Sequence, residues 1–200
     1  MTLTRFFLAP LMVALTALPA MAEKLPLTEL SRYINELTTL EAEFTQINAD
    51  ETISTGQILI NRPGRARFEY DPPEQTLVIA GGQQLAVFDG KSNTGPEQYP
   101  LKETPLNLIL ARDVDLDRSG MVVAHDYDGT ATVVTAQDPE NPQYGNIQLM
   151  FTADPIELRQ WVITDGSGSQ TTVILGALET GMRFNTATFS ITAEIESRNR

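Results

Sequence analysis

Apolar and polar side chains alternate with a period of two in short segments that recur about every ten residues along most of the chain. Leu40, Ala42 and Phe44, for example, alternate with two glutamates and a threonine. This period places successive side chains on opposite faces of an extended backbone, so each segment is predicted to be a half-buried β-strand. The predicted strands are 40–45, 56–60, 66–70, 76–80, 84–89, 121–127, 130–136, 147–151, 158–164, 170–175 and 186–191.

Two apolar segments interrupt the strand pattern with helical features. Leu27, Leu30, Ile34 and Leu37 are spaced 3, 4 and 3 residues apart, which is one face of a short helix. In 104–110, Thr104 is predicted to cap a second helix, with Pro105 at its first position. Both helices are too short to be stable alone, so each must be buried against another surface.

Evenly spaced strands and short helices together predict a mainly β fold. Asp128-Gly129 between two strands is a strong hairpin signal, and Gly81-Gly82 marks another turn. We expect an incompletely closed, strongly curved antiparallel β-barrel with a lid of short α-helices on its concave side. A two-layer sandwich with helices at one edge is the alternative.

The N-terminus has the features of a cleavable export signal over 1–22. Arg5 precedes an apolar run, and Ala20-Met21-Ala22 matches a small-residue cleavage site. The expectation is one domain over 23–200, located in the periplasm. The chain contains no cysteine, which excludes disulfides and a lipidated cysteine.

Charge and composition argue against several functions. Without Arg5, 13 basic residues face 26 acidic ones, a formal charge of −13 that disfavours nucleic acid as a partner. His125 is the only histidine, no G-x-S-x-G occurs, and 113–124 lacks the glycine and glutamate of a calcium loop. We therefore expect no enzymatic activity, no catalytic residue, no metal and no cofactor.

An apolar container is the remaining candidate site. The lid candidates are Leu30, Ile34, Leu37, Leu106, Leu108 and Ile109. The wall candidates are Ile58, Ile60, Phe68, Leu77, Ile79, Leu85 and Val87. The same pattern fits either an ordinary filled core or a cavity, because periodicity reports only which face is buried.

Several motifs resemble the periplasmic outer-membrane lipoprotein carrier family, LolA. The strongest is the Arg62-Pro63-Gly64 turn followed by Phe68-Glu69-Tyr70 and Pro73; Phe44-Thr45-Gln46 and Thr104-Pro105-Leu106 add matching order. The resemblance is best over 25–115. It implies an open β-barrel with a helical lid that holds the acyl chains of lipoproteins, and it adds Phe44 and Ala66 to the wall positions.

The resemblance also implies partners and a role for one arginine. The implied partners are acylated lipoproteins, an inner-membrane ABC lipoprotein-release complex and, if present, an outer-membrane lipoprotein receptor, with the carrier acting as a monomer. Arg62 matches a family arginine that closes the lid by bonding its backbone. Ala66 and Ala86 stand where the family often has aromatic residues, which implies a larger cavity. A periplasmic lipid-sensing regulatory module of the same fold is the alternative function.

Overall fold

Twelve β-strands form one antiparallel sheet whose two edges are not paired to each other among the described residues. The structure is a computed structural model that describes residues 24–92, 94–118 and 120–199, so the predicted export signal lies outside it. The strands are β1 (Thr39–Ile47), β2 (Ile53–Asn61), β3 (Ala66–Tyr70), β4 (Leu77–Gly81), β5 (Gln84–Phe88), β6 (Glu97–Pro100), β7 (Val122–Tyr127), β8 (Thr132–Gln137), β9 (Asn146–Ala153), β10 (Ile156–Thr164), β11 (Gln170–Leu175) and β12 (Glu179–Thr180).

The strand order explains how the sheet curves into an open barrel. It runs β6-β5-β4-β3-β2-β1-β11-β10-β9-β8-β7, and β12 pairs with β1 off this path. Neighbours in sequence are therefore mostly neighbours in space, joined by tight turns. At the β7–β8 hairpin, Gly129 has φ +99°, a conformation that glycine adopts without a steric cost. The prediction of a mainly β, incompletely closed barrel is confirmed, and the sandwich alternative is wrong because one continuous sheet contains every strand.

Within the described ranges, three α-helices cover the two faces of this sheet. They are α1 (Leu27–Glu36), α2 (Asn107–Leu110) and α3 (Ile191–Arg198), and short 3-10 helices occupy Leu101–Glu103, Pro142–Tyr144 and Thr186–Phe189. The helices α1 and α2 pack on the concave face, where the main core contains fully buried Leu30, Phe151 and Trp161. The helix α3 covers a second, smaller apolar cluster, described below.

Two local predictions are corrected, and strands β6 and β12 were not predicted. The segment 186–191 is not a strand: Asn185 caps a 3-10 helix there, and the Ser190 hydroxyl accepts from the amide of Ala193 to start α3. Thr104 does not cap α2, because its hydroxyl donates to the carbonyl of Leu101 at 2.8 Å and the helix begins only at Asn107. Strand β6, with its largely exposed side chains, had no apolar alternation from which to predict it.

Candidate ligand cavity and lid

The lid begins with α1, whose apolar face lies on the concave side of the barrel. Leu30 and Ile34 are buried there, and Leu27 and Leu37 are partly buried against the same core. This is the face that the spacing of 3, 4 and 3 predicted. The polar side of α1 does not face only solvent, however, because it contacts the chain that follows α2.

Two polar side chains join α1 to the segment that follows α2. The amide of Asn35 donates to the carbonyl of Val114 at 2.8 Å and accepts from the Val114 backbone N–H at 2.9 Å. One turn earlier, the Ser31 hydroxyl accepts from the backbone N–H of Leu116 at 2.9 Å. The two parts of the lid are therefore tied together by side chain–backbone hydrogen bonds. Sequence reasoning missed both residues, since a polar residue on a helix gives no indication of a distant backbone partner.

Arg62, at the β2–β3 turn, ties this lid to the barrel. Its Nη1 donates to the carbonyl of Ile34 near the end of α1, and its Nη2 donates to the carbonyl of Ala111 at 2.7 Å and to Asn35 Oδ1 at 3.3 Å. The backbone N–H of Gly64 adds a bond to the carbonyl of Leu110 at 2.8 Å. The turn thus contacts both halves of the lid.

The electrostatics of Arg62 differ from those of an ion pair. Burial lowers the pKa of Arg62, and the charge of Asp113 opposes that shift. Its guanidinium donates to three neutral oxygens, and its buried Nε has no partner among the described residues. Each bond from a charged group to a neutral acceptor contributes about 1.5–3 kcal/mol, so several such bonds close this end of the lid. Opening the lid exchanges them for bonds to water and leaves no buried carboxylate without its counter-charge.

An apolar cavity of about 560 Å³ lies under Thr104, Pro105 and Leu106. This volume falls in the range of roughly 300–1,000 Å³ that is usual for ligand pockets. The cavity lies between the two halves of the sheet and extends away from the end that contains Arg62. Its apolar and aromatic lining is Phe68, Tyr70, Val78, Leu85, Tyr99, Pro105, Leu106, Tyr144, Trp161, Ile163 and Val173.

Aromatic rings build one wall of this cavity. Phe68 meets Trp161 edge to face with ring centroids 6.5 Å apart, and Phe44 meets both Phe68 and Tyr70 in the same manner at 5.9 and 5.1 Å. The hydroxyl of Tyr70 donates to Gln46 Oε1 at 2.7 Å, and the lining contains further polar residues, Glu103, Thr104, Gln143, Asp165 and Thr171. Burial is the main cause that raises the pKa of Tyr70 to about 12, so this phenol is neutral at physiological pH.

The structure brings most of the predicted container residues to the concave face, but only some of them reach the cavity. Phe68, Leu85 and Leu106 line it. Leu37 and Leu108 are partly buried against the main core, and Val87 lies opposite Val78 on that side of the sheet. The remaining concave positions form filled core: Leu30, Ile34, Phe44, Ile58, Ile60, Ala66 and Ile109. Filled core and cavity thus coexist.

The prediction that Leu77 and Ile79 belong to this container is wrong. They lie on the opposite, convex face, in a separate cluster with Ala86 and Phe88. The sequence 77–80 is apolar at every position because both faces of β4 are covered. A continuous apolar run has no alternation, so it does not show which of its residues lie on which face of the sheet.

The cavity residues that sequence reasoning missed lie mostly in the C-terminal half of the sheet. Trp161, Ile163 and Val173 contribute the second wall, and Tyr70 and Val78 complete the first. Trp161 is the only tryptophan in the chain and lies in a predicted strand, so it was the one missed residue that the sequence could have indicated as a wall candidate. Its position opposite Phe68 follows from the pairing of β1 with β11, which no local pattern predicts.

The part of the chain that the structure describes shows neither a catalytic arrangement at His125 nor a metal centre. His125 Nε2 lies 2.9 Å from the carbonyl of Leu25, which makes it a structural contact with the N-terminal segment. Among residues 24–92, 94–118 and 120–199, no three histidine, cysteine or carboxylate side chains are grouped to hold a metal ion. None of the helices in these ranges is both long and apolar enough to cross a membrane.

Fold and site together define an open β-barrel with an apolar cavity under a helical lid. The chain belongs to the family described as outer membrane lipoprotein carrier protein LolA, whose sequence model matches residues 35–192. The family that the motifs indicated is therefore confirmed.

Named relatives extend this similarity over different lengths. An outer-membrane lipoprotein carrier protein of Azotobacter vinelandii is 22% identical over 186 residues, which cover 88% of each chain. The protein of the same name from Nitrosomonas europaea is 25% identical over 179 residues, 84% of this chain and 85% of the relative. One from Coxiella burnetii is 34% identical over 85 residues, 40% of each chain. These relatives are named as carriers, not as enzymes.

Among solved structures, a LolA superfamily protein from Nitrosomonas europaea has a TM-score of 0.45 at 8% identity, covering 83% of this chain and 98% of the other. A putative outer membrane lipoprotein-sorting protein domain from Vibrio parahaemolyticus has a TM-score of 0.48 at 10% identity, covering 87% and 97%.

Proposed function

We propose that this protein is a periplasmic chaperone that binds the acyl chains of lipoproteins released from the inner membrane and delivers them to the outer membrane. The observation that carries the proposal is an apolar cavity of about 560 Å³ under a lid closed by polar bonds. Family membership and relatives named as lipoprotein carriers support it. The partners proposed for this role are the inner-membrane ABC release complex and, if present, an outer-membrane receptor.

The physical need for such a carrier follows from the cargo. Each CH₂ exposed to water costs roughly 0.8 kcal/mol, so an acylated protein cannot cross an aqueous compartment unshielded. The cavity accommodates part of such a lipid in the closed form. Because Leu30, Phe151 and Trp161 are fully buried, further acyl chains need the lid to move away from the concave face. The carrier therefore alternates between a closed empty form and an open loaded form.

Arg62 is the proposed latch between these two forms. In the closed form it bonds the carbonyls of Ile34 and Ala111, on both halves of the lid. Loading must break these bonds, and their recovery on release offsets part of the cost of expelling the acyl chains. A carrier needs such a balance, because cargo that bound without any opposing cost would not be delivered.

The single tryptophan allows a direct test of acyl binding. Trp161 lines the cavity, so a brominated fatty acid bound there should quench its fluorescence, and an acylated peptide should compete. Val78→Phe should fill part of the cavity and weaken quenching. Val123→Phe makes the same change at an edge-strand residue that is 60% exposed and should have no effect. Unquenched tryptophan, or equal quenching in both variants, would refute the binding site.

Cargo handling separates the carrier from the alternative, a lipid-sensing regulatory module. Both bind acyl chains, but only a carrier holds lipoprotein during transit and passes it on. We expect the protein isolated from the periplasm to contain lipoprotein, and to release it to outer-membrane vesicles that contain a receptor. Recovery of free fatty acids or phospholipids without any lipoprotein would favour the sensing module.

A further inference from the structure

A second cavity, of about 870 Å³, lies where the lid meets the Arg62 end of the barrel. The barrel contributes the β2–β3 turn with Arg65 and the β4–β5 turn with Gln83. The lid contributes Lys102 and Arg112, which flank α2. The residues that line this cavity are different from those around the apolar cavity, so the two are separate sites.

The charge of this cavity is opposite to that of the protein as a whole. The chain has a formal net charge of −12, yet Arg65, Lys102 and Arg112 all line the one cavity. Within the described ranges no aspartate or glutamate lines it, and none of the three cations forms an ion pair. Lys102 and Arg112 are exposed and Arg65 is half-buried, and no ion pair within the described ranges offsets their mutual repulsion in the empty fold.

Neutral hydrogen-bond donors complete the lining. The side-chain amides of Gln83, Gln84 and Asn107 belong to residues around the cavity. Arg65 is oriented by Asn61, since its Nε donates to the Asn61 carbonyl at 3.1 Å and its Nη2 to Oδ1 at 3.3 Å. Its Nη1 has no partner among the described groups, so this nitrogen remains available to a ligand.

We propose that this cavity binds a phosphate group, the chemistry shared by a glycerophospholipid headgroup and a free phosphate ester. Guanidinium and ammonium groups with nearby amides are the donors that phosphate oxygens accept from, and several cations match a multiply charged oxyanion better than one carboxylate. The cavity volume accommodates a glycerophosphate group. At a membrane, such a site would orient the lid edge of an otherwise repelled, acidic protein toward anionic lipid.

Two paired variants test the site without reference to acyl binding. Lys102→Gln with Arg112→Gln removes two cavity cations. Lys91→Gln with Arg183→Gln removes two exposed cations elsewhere, with the same change in net charge. One arm measures calorimetric binding of glycerol 3-phosphate at low ionic strength. The other measures flotation with vesicles of phosphatidylglycerol and phosphatidylcholine, against phosphatidylcholine alone.

We expect the cavity variant to bind at least about tenfold more weakly than wild type, and the control variant to match wild type. Binding in both arms would identify the phosphate group itself as the ligand, and binding to the anionic vesicles alone would identify the headgroup in its membrane. An equal loss in the two double variants would reduce the effect to net charge and overturn the proposal. So would the absence of wild-type binding in both arms.

Discussion

The two faces of strands β4 and β5 are covered in different ways. On the convex face, Leu77, Ile79, Ala86 and Phe88 form a filled cluster that Ile191 and Ile195 of α3 pack against. On the concave face, Val78 and Leu85 border a cavity under a lid held by polar bonds.

The charged groups on the two faces also differ in their partners, which are ions on the convex face and neutral groups on the concave face. Glu194 of α3 pairs with Arg67 at 3.3 Å and with Arg198 at 2.9 Å, and Arg198 also lies 4.8 Å from the ring centre of Phe88. Arg62, under the lid, donates to three neutral acceptors, and no ion pair of Arg62 occurs in the described part of the chain. Ion pairs and the partly buried Ile191 and Ile195 hold α3 on the convex face. On the concave face, α1 and α2 bury Leu30, Ile34 and Ile109 in filled core beside the cavity, and the proposed opening of the lid must expose these side chains.

The largest expected effect compares two neighbouring residues of β4. Ile79→Ala should destabilise the protein by about 2–5 kcal/mol, because Ile79 is fully buried in the filled convex cluster. Val78→Ala should cost less than about 1 kcal/mol, since Val78 is only half-buried and already borders empty space. Urea unfolding of both variants provides the measurement. Equal losses would mean that the two faces are packed alike.

Removing hydrogen bonds within the lid is expected to have a smaller effect, and this effect is measured as a change in ligand affinity. Asn35→Ala removes two bonds to Val114, which lowers the cost of opening by about 1–3 kcal/mol. The affinity for a fluorescent fatty acid should therefore rise about five- to 150-fold. Asn185→Ala, which removes a cap on the convex side, is the control and should leave the affinity unchanged. A lower affinity in Asn35→Ala would show that these bonds form part of the binding site.

Tyr70 provides a pH-dependent test of the cavity wall. Its phenol should ionise at about pH 12, later than an exposed tyrosine, because burial disfavours the phenolate. The folded pKa is higher than the unfolded value of about 10, so the stabilising contribution is complete below pH 10 and is lost as pH rises through about 12. Tyr70→Phe should reduce this alkaline loss of stability in urea titrations at several pH values. An unchanged pH dependence would contradict the burial of this phenol.

The smallest effect is expected at His125. Its ring contacts only the carbonyl of Leu25 among described partners, so His125→Ala should cost about 1 kcal/mol or less in stability. Delivery of lipoprotein to the outer membrane should remain at the wild-type level. Loss of delivery by a variant that still folds would revive an enzymatic mechanism.

The sequence predicted the elements of this fold better than their three-dimensional relations. Alternation located most strands, and the spacing of Leu30 and Ile34 gave the correct face of α1, because one side of each of these elements meets water. The same reasoning failed at Leu77 and Ile79, where both faces of the strand are covered. It also failed at 186–191, where alternating β-branched residues concealed the caps at Asn185 and Ser190.

The candidate functional site could be predicted only in part, because its contacts join segments that are distant in the sequence. The turn at 62–64 indicated Arg62, but its acceptors on Ile34 and Ala111 depend on how the lid folds over the sheet. The meeting of Trp161 with Phe68 depends on strand pairing between distant parts of the chain. The cations of the second cavity are likewise separated in sequence, and only the turns and the lid bring them together.

The most direct test of an openable lid on the concave face is the lipoprotein content of an Arg62→Leu variant. Leucine cannot bond the lid carbonyls, and it adds apolar surface, so both changes favour the open, loaded form over the closed, empty one. Arg32→Leu is the control, because Arg32 is an exposed residue of α1 whose one ion pair among the described residues is with Glu36. The account predicts that Arg62→Leu protein isolated from the periplasm retains several times more lipoprotein than wild type or the control, and fails to deliver it. Equal or lower lipoprotein content, with normal delivery, would show that Arg62 is only a turn residue and would contradict the account.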